Sequence, residues 1–425
     1  MTAGEPATSD EARRLPALTR PALQRIAGVG LVYGGSVGLL MLGEVMLARQ
    51  VDAADFGVYN LVKQALPVVS AIGLLGYDQA LTRESAARGK PVKFGRQGIT
   101  SSVRAILVGA LFAIYLIALL DVPVMPSIAL VAAGAGVAVS NLISGVLRAT
   151  GRTLVAAVAQ QGYRMGTGII LILTLGHLTG GTTAWALAGT ALVVAVWCLG
   201  LSARFQQPWQ PTSKERHHLR RLGYGYTLGM LGLAASDWVD QALVAHLAST
   251  ASAGHYAQAK LLTVYPLLSI GSVLGFLALP YFASRRDQLT PRSFGRVYAR
   301  AGLVSVAAWV LLAPTAAAIS HALFGYEAST SVLVSLAGVG ALRLLYVLPS
   351  AVQGAVGSPR DLVLSGAMST VAVGIQVGVT ILAMSSGVLE AATLGLLVNI
   401  VVRLTTSTLL CFIALRRHQT VRGSS

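Results

Sequence analysis

The stretch Phe56-Gly57-Val58-Tyr59-Asn60-Leu61-Val62-Lys63 follows an apolar run. After a second apolar run, 197 positions on from Gly57, the chain reads Ala253-Gly254-His255-Tyr256-Ala257-Gln258-Ala259-Lys260. Both stretches fit Gly-x-Tyr-x-x-x-Lys. Each is trailed by a proline, Pro67 or Pro266, and then by Phe-Gly-Arg at 94–96 or 294–296. Three ordered landmarks at a nearly constant offset read as an internal repeat. Upstream of each motif lies an acid inside the apolar run, Glu44 before the first and Asp240 before the second. Each repeat thus pairs an acid in one helix with a tyrosine and a lysine in the next. The tyrosine and lysine are four apart, so they share a helix face.

The repeat sits in a very apolar chain. Of 425 residues, 54% are hydrophobic and 11% are charged. Soluble domains carry about 25% charged residues, so a soluble enzyme is excluded. A membrane-crossing helix needs roughly 20 mostly apolar residues. Twelve such runs are predicted, near 26–48, 57–77, 102–120, 127–147, 155–176, 184–203, 222–247, 257–282, 300–324, 329–352, 362–384 and 391–415. Six runs per repeat is an even number, so the two halves point the same way across the bilayer. The expected fold is an all-α polytopic membrane protein, with twelve transmembrane helices in two six-helix bundles around a central cavity. The divisions are a tail at 1–25, a bundle at 26–203, a linker at 204–221, a bundle at 222–415 and a tail at 416–425.

Charge supports the count. The chain has 32 Lys and Arg against 16 Asp and Glu, a net +16. A basic balance can mean nucleic acid, but here the bases gather in alternate segments. These hold Arg13, Arg14, Lys90, Lys93, Arg148, Arg152, Arg164, Lys214, Arg285, Arg286, Arg416 and Arg417, among others. The intervening loops hold Asp52, Asp55, Asp121, Glu327 and Glu390. Cytoplasmic loops collect Lys and Arg, so both termini and the 204–221 linker are expected inside, with no nucleic-acid partner. The N-terminal stretch has no short apolar region followed by a small-residue cleavage site, and a signal peptide is not expected.

A charge inside a span is costly and marks a candidate functional site. The set is Glu44, Lys63, Asp237, Asp240, Lys260, Arg343 and Arg403, with Arg49 at a span edge. Two readings stand for Lys63 and Lys260. They snorkel to the interface or pair with Glu44 and Asp240, or they line a cavity. Arg343 and Arg403 fall nearer mid-span and read as cavity-lining. Glu44, Asp237 and Asp240 are the groups able to carry a coupling ion. Pro67 and Pro266 predict kinks in the second and eighth spans. Gly225-x-x-x-Gly229 and Gly271-x-x-x-Gly275 fit close helix packing. Cys198 and Cys411 lie in apolar runs, and the histidines show no metal spacing. No P-loop, G-x-S-x-G or H-E-x-x-H motif occurs, so no cofactor, metal or enzymatic activity is expected.

Several stretches resemble a known family. They are Leu47-Ala48-Arg49, Asp55-Phe56-Gly57-x-Tyr59, Gly73-x-x-Gly76-Tyr77-Asp78-Gln79-Ala80-Leu81 and Leu147-Arg148-Ala149-x-Gly151-Arg152. Together they are similar to Wzx-type flippases of the multidrug/oligosaccharidyl-lipid/polysaccharide (MOP) exporter superfamily. The resemblance implies a monomeric flippase in the bacterial plasma membrane that moves a polyprenyl-diphosphate-linked oligosaccharide by alternating access, with a polysaccharide polymerase as a further partner. Lys63, Lys260, Arg343, Arg403 and Arg49 would then bind the anionic substrate, and Glu44, Asp237 and Asp240 would couple an ion. Twelve spans, rather than fourteen, separate the chain from the lipid II flippases. The cation or multidrug antiporters of the same superfamily also have twelve and are the alternative.

Overall fold

A computed structural model describes residues 20–88, 95–174, 179–204, 213–325 and 329–423. Fourteen α-helices build it. The first half holds α1 (Arg20–Gln50), α2 (Ala53–Leu74), α3 (Tyr77–Arg88), α4 (Gly95–Leu120), α5 (Val124–Ala149), α6 (Thr153–Leu173) and α7 (Gly180–Arg204). The second holds α8 (Ser213–Leu247), α9 (Thr250–Thr263), α10 (Tyr265–Ser284), α11 (Pro291–Phe324), α12 (Thr330–Val356), α13 (Pro359–Leu382) and α14 (Val388–Gly423). Each half has one helix that breaks into a second, α2 into α3 and α9 into α10. The described residues contain no strand. Among them, nine helices are long and apolar enough to cross a membrane alone, and the count is ten if the bent pair α2 and α3 is taken as one span. The helices α6 and α8 fall short because polar side chains interrupt them, and those side chains build the site described below.

The repeat extends to the helix caps. Asp52 opens α2 by accepting a hydrogen bond from the Asp55 backbone N–H, and Ser249 opens α9 by accepting one from that of Ser252. Both caps satisfy a first-turn donor that has no intrahelical partner. The kinks differ from expectation in one half. Pro266 stands at the start of α10, where the eighth span breaks. Pro67 stays inside a continuous α2, and the bend comes later, at Leu75 and Gly76, which have φ of 48° and 61°. There the chain turns by 63° into α3. Left-handed backbone ends a helix more sharply than one lost proline hydrogen bond inside a bundle.

Several helices run past the predicted edges. α8 begins at Ser213, inside the segment read as a linker, and α14 continues to Gly423, through most of the predicted tail. Hydropathy marks only the apolar part of a helix, while its polar ends extend beyond the hydrocarbon. Most of the predicted N-terminal tail, and Phe94, Lys90 and Lys93, lie outside the described residues.

Among the described residues, Asp52, Asp121 and Glu390 stand at the helix ends on one side of the bundle, the acidic end, and Arg148, Arg152 and Arg285 at those on the other, the basic end. The halves meet through α1, α2 and α3 on one side and α8, α9 and α10 on the other. At the acidic end the two motif glycines face each other. A Cβ on Gly57 would lie 2.0 Å from the Thr250 carbonyl oxygen, and one on Gly254 would lie 1.9 Å from that of Ala53. The repeat motif is therefore the contact between the halves. At the basic end a Cβ on Gly76 would lie 2.3 Å from the Gly223 carbonyl oxygen. Arg83 on α3 reaches across to donate to the Gly357 carbonyl at 3.0 Å. The Gly271 and Gly275 positions pack against Val347 of α12, as expected of small residues, and Gly225 packs against Leu362 of α13.

Because the Gly57 and Gly254 contacts are backbone against backbone, no side chain can yield. Gly57→Ala or Gly254→Ala should lower the melting temperature of the purified protein, at a cost of about 1–3 kcal/mol. Gly30→Ala, which meets nothing within 4 Å, is the control. Equal melting of all three would mean that the contact contributes nothing.

Candidate functional site: the intramembrane charge cluster

In the first half, Glu44 on α1 receives two donors from α2. Its Oε1 accepts from Lys63 Nζ at 2.7 Å and from the Tyr59 hydroxyl at 2.9 Å. In the second half, Asp240 on α8 receives the same two residue types from α9. Its Oδ2 accepts from Lys260 Nζ at 3.0 Å and from the Tyr256 hydroxyl at 3.1 Å. The four-residue spacing of tyrosine and lysine puts both donors on one helix face. An acid in the preceding helix then satisfies both. Snorkelling is not what these lysines do: each is held by its acid.

The two triads differ in exposure. Lys260 and Asp240 have side chains sealed from solvent, at 0% each, whereas the Lys63 side chain is 14% exposed. Lys63 also lies 4.7 Å from the centre of the Tyr265 ring, which belongs to the other half. Gln64 donates to the Tyr265 hydroxyl. The first triad thus faces the seam between the halves.

Asp237, one turn before Asp240, approaches Lys260 at 3.8 Å and forms an ion pair with Arg343 of α12. Arg343 also donates to the Ser236 hydroxyl at 3.4 Å. Arg403 on α14 is different. It donates to the Gly229 carbonyl at 3.3 Å and the Tyr346 hydroxyl at 3.2 Å, and it stacks 5.0 Å from the centre of the Tyr346 ring. It is 2% exposed, has no carboxylate partner among the described residues, and leaves Nε and Nη1 without an acceptor.

The sequence reading placed Arg164 among the loop bases. The structure corrects this. Arg164 lies in the middle of α6, where it donates to the Tyr163 hydroxyl at 3.1 Å and to Gln161 Oε1 at 3.2 Å. Its guanidinium sits 5.7 Å from the centre of the Tyr163 ring. It too lacks a carboxylate partner among the described residues. Nearby, the Tyr33 hydroxyl of α1 donates to Gln160 at 2.9 Å. Arg49 departs the other way. It is exposed at the end of α1 and does not join the cluster.

The charges then add up in a regular way. Glu44 balances Lys63, Asp240 balances Lys260 and Asp237 balances Arg343. Each half keeps one further arginine, Arg164 or Arg403, beside a tyrosine. With every group in its ordinary charge state, the cluster carries a positive surplus inside the membrane-crossing bundle. Such a surplus is costly unless an anion meets it. A second buried group lies nearer the basic end. There Arg148 donates to Gln79 at 3.2 Å and to Thr82 at 3.1 Å, close to the buried Asp78. By charge alone Arg148 reads as a loop residue, but it lies in the last turn of α5. Among the described residues no group of histidine, cysteine and acids could hold a metal ion.

Residues 46–333 match the family model described as polysaccharide biosynthesis protein. Comparison with curated proteins found no match. Solved structures with the same fold include the outward-facing conformation of a multidrug resistance MATE family transporter of the MOP superfamily. The likeness has a TM-score of 0.62 at 16% identity, over 95% of this chain and 97% of that one. The inward-facing conformation of such a transporter matches at 0.57 and 14%, over 92% and 96%. A MOP superfamily transporter from Pyrococcus furiosus, noted for the reverse polarity of its binding pocket, matches at 0.61 and 15%, over 93% and 95%. With a family model covering more than half its length, this chain belongs to the polysaccharide biosynthesis protein family, and along almost all of its length it shares the fold of solved MOP superfamily transporters.

Proposed function

We propose that the protein moves a polyprenyl-diphosphate-linked oligosaccharide across the plasma membrane by alternating access, from the cytoplasmic to the outer leaflet. The observation that carries the reading is the pair of surplus arginines, Arg164 and Arg403. A diphosphate brings negative charge and several acceptor oxygens, which suits a guanidinium with no carboxylate partner, and in Arg403 two donors are also unfilled. An exporter of organic cations would favour surplus carboxylates and aromatic faces, the opposite balance. The Pyrococcus relative is described by a reversed pocket polarity, so this superfamily accommodates such a difference.

Glu44, Asp237 and Asp240 are then the candidate coupling groups. Loss of the Glu44 charge would release Lys63 at the seam and add one more cation for the substrate. Glu44→Gln should therefore make transport less dependent on an imposed ion gradient.

The test is transport by the purified protein in vesicles. A fluorescent polyprenyl-diphosphate oligosaccharide should reach the far leaflet, and ethidium should not exchange. Ethidium export driven by a proton or sodium gradient, without lipid transfer, would establish the antiporter instead. Orientation is checked separately. In intact cells, cysteines at positions 121 and 390 should react with an impermeant maleimide, and one at position 214 should not. Labelling at 214 would invert the topology.

A further inference from the structure

A pocket of about 230 Å³ opens at the basic end between the halves. Its walls are the α2–α3 bend at Leu74, Leu75 and Tyr77, the start of α4 at Thr100, Ser101 and Arg104, and the start of α8 at Leu219, Arg220 and Tyr224. A water occupies about 30 Å³ of liquid, so the space suits a small polar head rather than a whole oligosaccharide. The charged groups lining it are both arginines, one from each half. Arg220 is exposed. Arg104 donates through Nη2 to Ser101 at 3.1 Å, and its buried Nε has no acceptor.

Depth separates this pocket from the central cluster. Thr100 is the first residue of the apolar stretch of α4, so the arginines stand at the membrane surface. Directly beyond them, the same helix turns Val103, Ile106, Leu107 and Leu111 outward, each 45–67% exposed. A cationic pocket therefore continues into an apolar, lipid-facing stripe. A free anion has no use for the stripe, whereas a lipid with a phosphorylated head would use both parts.

We infer that this pocket is a peripheral docking site for the diphosphate of a lipid-borne ligand, held by Arg104 and Arg220 before the ligand passes between the halves. The inference rests on the flippase reading for the source of the ligand. The chemistry it needs is a diphosphate group, from a lipid or free in solution.

The test uses the full-length protein in nanodiscs, titrated with undecaprenyl diphosphate or with inorganic diphosphate, and read by native mass spectrometry. Undecaprenyl diphosphate should bind wild type. Charge-assisted contacts of this kind contribute enough that Arg104→Gln or Arg220→Gln should weaken binding roughly tenfold each. Arg220→Glu is the safeguard against misfolding, because Arg220 is exposed, and it should weaken binding further. Arg104→Lys should retain part of it. Loss with the lipid in these variants supports the site, whatever transport assays give. Binding of inorganic diphosphate alone, lost in the same variants, keeps the site and removes the lipid as its source. Wild-type affinity for the lipid in the Arg104→Gln/Arg220→Glu protein would overturn the site and leave the flippase reading standing. No binding of either ligand to wild type would also overturn it.

Discussion

Asp240→Asn is expected to destabilise the second half by about 3–5 kcal/mol, the cost of breaking a buried ion pair from one side. Lys260 has no solvent to turn to, since its side chain is 0% exposed. Its other acid, Asp237, stands at 3.8 Å and is engaged by Arg343. The ammonium would keep only neutral acceptors close by, the Asp237 backbone carbonyl at 3.4 Å and the amide oxygen of the substituted side chain, and would lose its carboxylate. The melting temperature in detergent and the amount of protein in the membrane should both fall. The double variant Asp240→Asn/Lys260→Met should recover most of the loss, because a pair replaced by apolar or neutral groups leaves no bare charge. Glu44→Gln should cost less than Asp240→Asn, because Lys63 is partly exposed and faces the Tyr265 ring. Equal melting of wild type and Asp240→Asn would show that the Lys260 charge is compensated by something other than Asp240.

This asymmetry was hidden in the sequence, whereas the symmetry was not. The acid, tyrosine and lysine of each repeat were readable because a helix fixes which spacings share a face. The cap positions Asp52 and Ser249 follow the same offset. What a single sequence does not carry is which triad is sealed, since that depends on how α2 and α9 meet across the seam. Arg164 was missed for another reason. Counting bases toward the inner loops overrode its position. Yet it lies eleven residues beyond the start of α6 at Thr153, roughly 16 Å along the axis at 1.5 Å per residue. That depth belongs to the membrane interior, so the signal was present. Arg343 and Arg403 looked alike as mid-span arginines. Only packing gives one an acid partner and the other a tyrosine. The bend at Leu75 and Gly76 was overshadowed by Pro67, although Gly76 was in view.

The difference between Arg343 and Arg403 yields the sharpest functional result. Arg403→Met and Arg164→Met remove a cation that no carboxylate neutralises among the described residues. A mid-span arginine costs about 2.5–3.5 kcal/mol to insert on translocon scales. Both variants should therefore reach the membrane at wild-type abundance or better. Each should reduce export of the surface glycan at least tenfold, the effect of losing one charge-assisted contact to the substrate. Arg403→Lys and Arg164→Lys should be partly active, because a point charge still meets a phosphate but loses the planar fork. Arg343→Met should behave oppositely. It leaves the Asp237 carboxylate with only Lys260, at 3.8 Å and already held by Asp240, so its export should fall in step with abundance, and Asp237→Asn in the same chain should restore both. Complementation of a glycan-export defect, with membrane abundance measured in the same cells, separates the two patterns. Full export by both Arg164→Met and Arg403→Met would remove the cationic site from the mechanism, and the arginines would then be packing groups stacked on Tyr163 and Tyr346.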